Sequence, residues 1–208
     1  MGQSGLHATL YTGSYSMKNM KRLLKETGLP VTRNYTGGLN FEIGYSGGAS
    51  RNTFGVYYNH INTEGVATQG SSMVKHYANR EVLGFLDYIE IKKYLHAGVK
   101  LGFDYSALRI KTEGLTPAYD TKFNSIGFLI APTVLWTYSI GVVDIRAEAS
   151  YELNQQGITT QNGDTSVSLV TGDGKSAKMN WSGYRVGVGI AYKFQKRNSS
   201  RQKMEYIY

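Results

Sequence analysis

Tyr184-Arg185-Val186-Gly187-Val188-Gly189-Ile190-Ala191-Tyr192-Lys193-Phe194 alternates without a break between two kinds of side chain. One phase carries Tyr184, Val186, Val188, Ile190, Tyr192 and Phe194; the other carries Arg185, Gly187, Gly189, Ala191 and Lys193. A two-residue repeat of this kind marks a β-strand whose two faces meet different surroundings.

The same reading extends over most of the chain. Strands are expected at about 4–13, 35–46, 52–63, 80–91, 96–110, 122–138, 142–154 and 180–194. Phe41, Ile43 and Tyr45 share one phase, as do Val99, Leu101, Phe103 and Tyr105. Ile126 to Tyr138 and Val143 to Leu153 repeat the pattern with Phe128, Ile130, Val134, Trp136, Ile145 and Tyr151. No charge falls on this phase of the five clearest strands. The opposite phase holds Glu42, Lys100, Asp104, Asp144, Arg146, Glu148, Glu152, Arg185 and Lys193, with Gly44, Gly98, Gly102, Gly127, Gly187 and Gly189 between them. The strands at 52–63 and 80–91 are less regular, because His60 and Asp87 share the apolar phase; a bulge that flips the phase is one way to read this.

Connection lengths also alternate. Short turns are expected at Gly47–Arg51, Lys92–Leu95 and Ser139–Gly141, and long loops at Ser14–Asn34, Glu64–Asn79, Lys111–Asp120 and Gln155–Met179. Outer-membrane barrels have short periplasmic turns and longer extracellular loops. A helical period occurs once, at Ser16 to Thr27 in the first long loop: Ser16 is the candidate N-cap, Met17, Met20, Leu23 and Leu24 share a face, and Gly28 and Pro30 end it.

Alternation leaves open which face points outward, and size decides it. The interior of an eight-stranded barrel is just wide enough for side chains to fill. Bulky rings and aliphatics at every alternate position would overfill it, whereas glycine, small residues and a few long charged chains fit. The apolar face therefore points outward, and only lipid tolerates it, since water penalises such a surface by roughly 25 cal/mol per Å². Tyr45, Tyr105, Trp136, Tyr138, Tyr151, Tyr184, Tyr192 and Phe194 lie on this phase near strand ends, where interfacial aromatic girdles sit.

Composition agrees. The chain has 208 residues, 25 glycines, 17 tyrosines and only 3 prolines, which suits one all-β domain. With no cysteine, disulfides and thiol chemistry are excluded. No apolar run reaches the ~20 residues of a membrane-spanning helix. Met1 to Gly5 has neither the basic nor the apolar region of a signal peptide, and the expectation is a mature sequence whose signal has been removed.

On these residues the chain resembles the outer-membrane β-barrel domain family, in the broad class of small OmpA/OmpX-type barrels. The closing strand 184–194, with its final aromatic, looks like the signal the family's insertion machinery reads. Tyr88-Ile89-Glu90-Ile91 is similar to a segment common in such barrels, where a proline usually follows; here Lys92 stands instead. The family usually ends near the final aromatic, but this chain continues through a basic tail, 195–208, expected to be a flexible extension of the barrel domain 1–194.

The inward charges form the most specific constellation. They can be an ion or solute path, a gate that switches partners, or a fully paired network that plugs the lumen, since buried charges must be paired. His7, His60, His76 and His96 lie on separate segments, so no metal site or cofactor is expected. Tyr58-Asn59-His60-Ile61-Asn62 faintly resembles the His-x-Ser segment of lipid A deacylases, which are also small barrels, but position 62 is Asn and the nucleophile is missing. The net charge of +8 draws on Lys18, Lys21, Arg22 and Lys25 of the helix, which can meet anionic lipid head groups or simply face water. No recognisable nucleic-acid-binding module accompanies the charge. The glycine-containing Thr171 to Lys175 reads as loop.

The reading is an eight-stranded antiparallel up-and-down transmembrane barrel, not an enzyme. It would serve as a structural or interaction protein of the outer membrane, with lipid or lipopolysaccharide, the insertion machinery and an extracellular partner as its contacts. Alternatives are a narrow pore for small or apolar solutes, a lipid A-modifying enzyme, and a soluble ligand-binding barrel.

Overall fold

The computed structural model describes residues 4–35, 38, 40–49, 51–162 and 164–194. The tail 195–208 lies outside the described residues. In chain order the elements are β1 (Ser4–Tyr15), α1 (Lys18–Glu26), β2 (Val31–Asn34), β3 (Asn40–Ala49), β4 (Asn52–Gln69), β5 (Ser72–Lys92) and β6 (Leu95–Glu113). They continue as β7 (Asp120–Ile140), β8 (Val143–Gln156), β9 (Thr160–Gln161), β10 (Asp164–Ser168) and β11 (Gly183–Phe194). No described helix is long and apolar enough to cross a membrane.

All ladders are antiparallel. From β1 the pairing runs to β3, β4, β5, β6, β7 and β8 in turn. β8 then pairs with β11, and β11 returns to β1 along its whole length, from Ser4 opposite Phe194 to Tyr15 opposite Gly183. The sheet is therefore a β-barrel, with the three short strands β2, β9 and β10 pairing at its loop-bearing end.

The bulky apolar phase faces outward. Phe128, Val188 and Ile190 expose 43%, 67% and 59% of their surface, while Arg146 and Glu148 are buried. Such an apolar wall is stable only against hydrocarbon.

Inward glycines make room for inward rings. A Cβ on Gly84 would stand 2.7 Å from Tyr57 ring carbons, and one on Gly102 would stand 2.9 Å from the Tyr57 hydroxyl. Gly98 and Gly187 likewise accommodate the rings of Tyr88 and Tyr11. The interior thus holds single aromatic rings, each set against a glycine, beside the small and charged side chains that the size argument placed there.

Three sequence expectations need correction. Glu64–Asn79 is not a long loop: β4 and β5 continue as a hairpin to a tight turn at Gly70 and Ser71, in unbroken register from Asn52↔Ile89 to Gln69↔Ser72. Nor does a bulge flip the phase of β4 or β5. Instead the meaning of the two faces reverses along the strands. Inward Ile61, Ala67, Val74, Ala78, Leu108 and Phe123 are apolar, and outward Lys75, Asn79 and Arg109 are polar. A transmembrane crossing needs only about 9–11 residues, so the 18 and 21 residues of β4 and β5 extend well beyond it. There the barrel follows the water-soluble rule, apolar inside and polar outside. The third correction concerns α1, which begins at Lys18 behind a left-handed Met17 with no side-chain cap, so Ser16 does not cap it.

Replacing Gly84 with Val should destabilise the barrel by about 1–3 kcal/mol through overpacking, whereas Ala147→Val on the outer wall should change stability little. Urea unfolding of the protein in lipid vesicles measures both.

Candidate functional site

The lumen is filled in layers. In the lowest ionic layer, β6 points Lys100 at β3 and β8. Its Nζ donates to both oxygens of Glu42 at 2.7 and 2.8 Å, to Glu148 Oε1 at 2.5 Å and to the Tyr11 hydroxyl at 3.0 Å. The Tyr11 hydroxyl also donates to Glu42 (3.3 Å), and Tyr88 donates to the other Glu148 oxygen (3.3 Å). The ammonium lies 5.4 and 5.3 Å from the ring centroids of Tyr11 and Tyr57, a cation–π arrangement. His7 stands 3.5 Å from Glu42.

The next layer centres on Glu152. Arg80 donates to it at 2.7 Å, and Arg185 contacts its second oxygen at 3.0 Å. Arg185 also donates to Asn59, which donates to Asn40, which donates to the Tyr15 hydroxyl. Beside them Asp104 accepts from Asn154 (2.6 Å) and from Gln156.

Among the described residues the buried interior holds four carboxylates, Glu42, Asp104, Glu148 and Glu152, and four cations, Arg80, Lys100, Arg146 and Arg185. The layers are neutral in sum, as removal from water demands. The remaining two inward charges from the sequence reading, Asp144 and Lys193, pair at 2.7 Å near the short-turn end, and Ser139 bridges them.

Above the ions sits an apolar cap. Met17, Met20 and Leu24 from the first loop and helix pack with Ala177, Met179 and Trp181 from the last loop, all fully buried. Trp181 donates to Ser106 (2.9 Å), and Arg80 stacks on its ring at 5.4 Å. The helix therefore spends its apolar face on the barrel mouth, not on the membrane surface, and Lys18, Arg22 and Lys25 face solvent. Arg22 pairs with Glu26 (2.8 Å) and with Asp173 of the last loop (3.0 Å), and Glu26 accepts from the Gly172 amide. The Thr171 hydroxyl and the Arg22 guanidinium hold the Asp173 carboxyl below the ordinary carboxylate range.

The eight outward aromatics, Tyr45, Tyr105, Trp136, Tyr138, Tyr151, Tyr184, Tyr192 and Phe194, are all exposed. Trp136 and Tyr138 stack (6.1 Å, 7°), and Phe194 contacts Tyr45 and Tyr192. Tyr58, His60 and Glu81 form a polar group on the outer wall: His60 Nδ1 lies 2.7 Å from one Glu81 oxygen, and the Tyr58 hydroxyl donates to the other. Sequence reasoning missed the Glu81 partner, which the β4–β5 register places directly opposite His60. It also missed Arg80, whose strand alternates less clearly, and Tyr11 and Tyr88 as partners of the charges; Tyr57 it had set on the face opposite Phe54 and Val56, without the glycines that make room for its ring. Among the described residues no three His, Cys, Asp or Glu side chains are grouped to hold a metal.

An apolar outer wall, a closed antiparallel ladder and a charged interior define a transmembrane β-barrel of the outer-membrane type. Comparison with solved structures agrees on the fold. The chain is similar to a major outer membrane protein from Thermus thermophilus (TM-score 0.53, 9% identity, covering 93% of this chain and 99% of that one). It is also similar to Ail, the attachment invasion locus protein of Yersinia pestis, in complex with the heparin analogue sucrose octasulfate (0.49, 10%, 93% and 99%), and to Neisserial surface protein A (0.42, 13%, 93% and 97%). No family model and no curated protein sequence matches the chain.

Lys100→Met should cost about 3–5 kcal/mol, because it leaves Glu42 and Glu148 buried without their cation. Adding Glu42→Gln and Glu148→Gln should recover most of that loss, as read from unfolding in lipid. A second outcome concerns pH. With the Asp173 carboxyl depressed, its link to Arg22 is fully present above the ordinary carboxylate pKa of about 3.9 and disappears as pH falls through the lowered value. Backbone order parameters of Thr171 to Lys175 should stay constant from about pH 7 to 5 and drop only below about pH 4.

Proposed function

We propose that this protein is a non-catalytic structural or interaction protein of the outer membrane, an eight-stranded up-and-down barrel of the OmpA/OmpX type with a plugged lumen. The observation that carries this reading is the continuous filling of the lumen. Two ionic layers, balanced in total only when Arg146 is counted with them, and an apolar cap follow one another, and Lys100, Glu152 and Trp181 are fully buried. Wide aqueous channels belong to barrels of twice as many strands. The exposed aromatic rings serve as anchors at the two membrane interfaces, and the closing strand is the segment the insertion machinery reads.

What remains available for recognition is the outer end. It carries the basic face of α1, with Lys18 and Lys25, and the polar outer faces of the β4–β7 extensions, where Lys75, Arg109 and Lys122 lie. These surfaces suit anionic partners such as lipopolysaccharide head groups or an acidic surface on another cell or protein. A hydrolytic role at His60 and Glu81 has less support, because position 62 supplies an amide where a hydroxyl nucleophile would stand.

Planar-bilayer recording tests the central claim. The folded protein should give no steady unitary conductance; reproducible steps would replace the plugged barrel with the narrow-pore reading.

A further inference from the structure

Below the Lys100 layer the lumen opens into a cavity of about 390 Å³ at the short-turn end, bounded by the strand ends at Gly48 and Asn52, Lys93 and Tyr94, and Ser139 and Asp144. Arg146 lines it. This side chain is 5% exposed, and its Nε and Nη2 atoms are buried with no hydrogen-bond partner. The nearest carboxylate oxygen, Glu148 Oε2, stands 3.6 Å from Nη2, beyond hydrogen-bond reach, and that oxygen already accepts from Tyr88. His96 lines the same cavity: its Nε2 meets the Thr137 hydroxyl at 3.2 Å, and its Nδ1 is buried without a partner.

We infer that this vestibule is a binding site for a small carboxylate, held by the Arg146 guanidinium and entered from the periplasmic side. A guanidinium is a planar fork of donors that matches a carboxylate edge, and buried donors left unpaired cost free energy until a partner satisfies them. The charges facing the cavity set the ligand's own charge. Lys93, Arg146 and Lys193 meet Glu90 and Asp144, and Glu148 lies just behind Arg146. Lys193 and Asp144 neutralise one another at 2.7 Å, and Lys93 lies over the Tyr94 ring at 4.9 Å. Arg80 and Arg185 also keep unpartnered nitrogens in the layer above, but of the three cations lining the cavity Arg146 is the one with buried, unspent donors, and the neighbouring carboxylates favour one negative charge over two. The site lies beneath the plug, so it needs no passage through the barrel.

The test uses the full chain folded in detergent micelles with 15N-labelled arginine. Acetate is titrated at constant ionic strength against sodium chloride, with inorganic phosphate as a second probe. The Nε–H resonance of Arg146 should shift saturably with acetate and should not shift with chloride. Arg146→Gln should weaken acetate binding, followed by calorimetry, by at least about tenfold. A wild-type resonance that does not move, or that moves equally with chloride, overturns the inference and assigns water to these donors; this readout needs no variant to fold. Saturation by phosphate and not acetate would overturn the carboxylate assignment.

Discussion

Lys100 carries its ammonium where bulk water does not reach, and it donates into a cluster of four oxygen atoms that belong to three side chains on three strands. Only β1, β3, β6 and β8 together can build that coordination, and they meet only when the sheet is rolled up. An unpaired ammonium in such a place would be intolerable. The lumen charges therefore specify closure itself: a flat or slipped sheet would strand Glu42, Glu148 and Lys100 apart. The Glu152 layer applies the same constraint to other strands, bringing Arg80 of β5 and Arg185 of β11 to Glu152 of β8.

The outer wall follows from this interior. With the charges gathered inside, the alternate residues of each strand are free to be apolar, and the exposed Leu, Ile, Val and Phe side chains make a surface for hydrocarbon. Glycine joins the two sides. Gly84 and Gly102 give up side chains so that Tyr57 can lie across the lumen beside Lys100, and the same substitution of ring for void recurs at Gly98 and Gly187.

Much of this was readable from residue order, and the reasons differ by region. In β6, β8 and β11 every outward residue within the bilayer is apolar and many inward ones are charged, so a two-residue period revealed both the strand and its faces. The Glu42, Lys100, Glu148, Glu152 and Arg185 positions came from that contrast alone. Their pairing did not, because side chains that meet across a lumen come from strands distant in sequence, as Lys100 and Glu148 do. The hairpin of β4 and β5 was misread because the contrast reverses above the bilayer: with Val74 and Ala78 inward and Lys75 and Asn79 outward, the alternation changes sign at Arg80 and Glu81 and resembles a loop. The apolar cap was hidden for a further reason, since Met179 and Trp181 sit in irregular backbone with no period to reveal them.

That change of sign along the long strands gives the molecule a waterline. The paired His60 and Glu81 mark, on β4 and β5, the level at which the exterior ceases to be oily, so the protein has a fixed draught in its membrane. Pushing it deeper would drown Arg109 and Lys122 in hydrocarbon; lifting it would wet Leu83, Phe103 and Phe128. The cap moves with the wall that carries it, so the height at which the loops stand above the surface is set by the strands and not by whatever they touch.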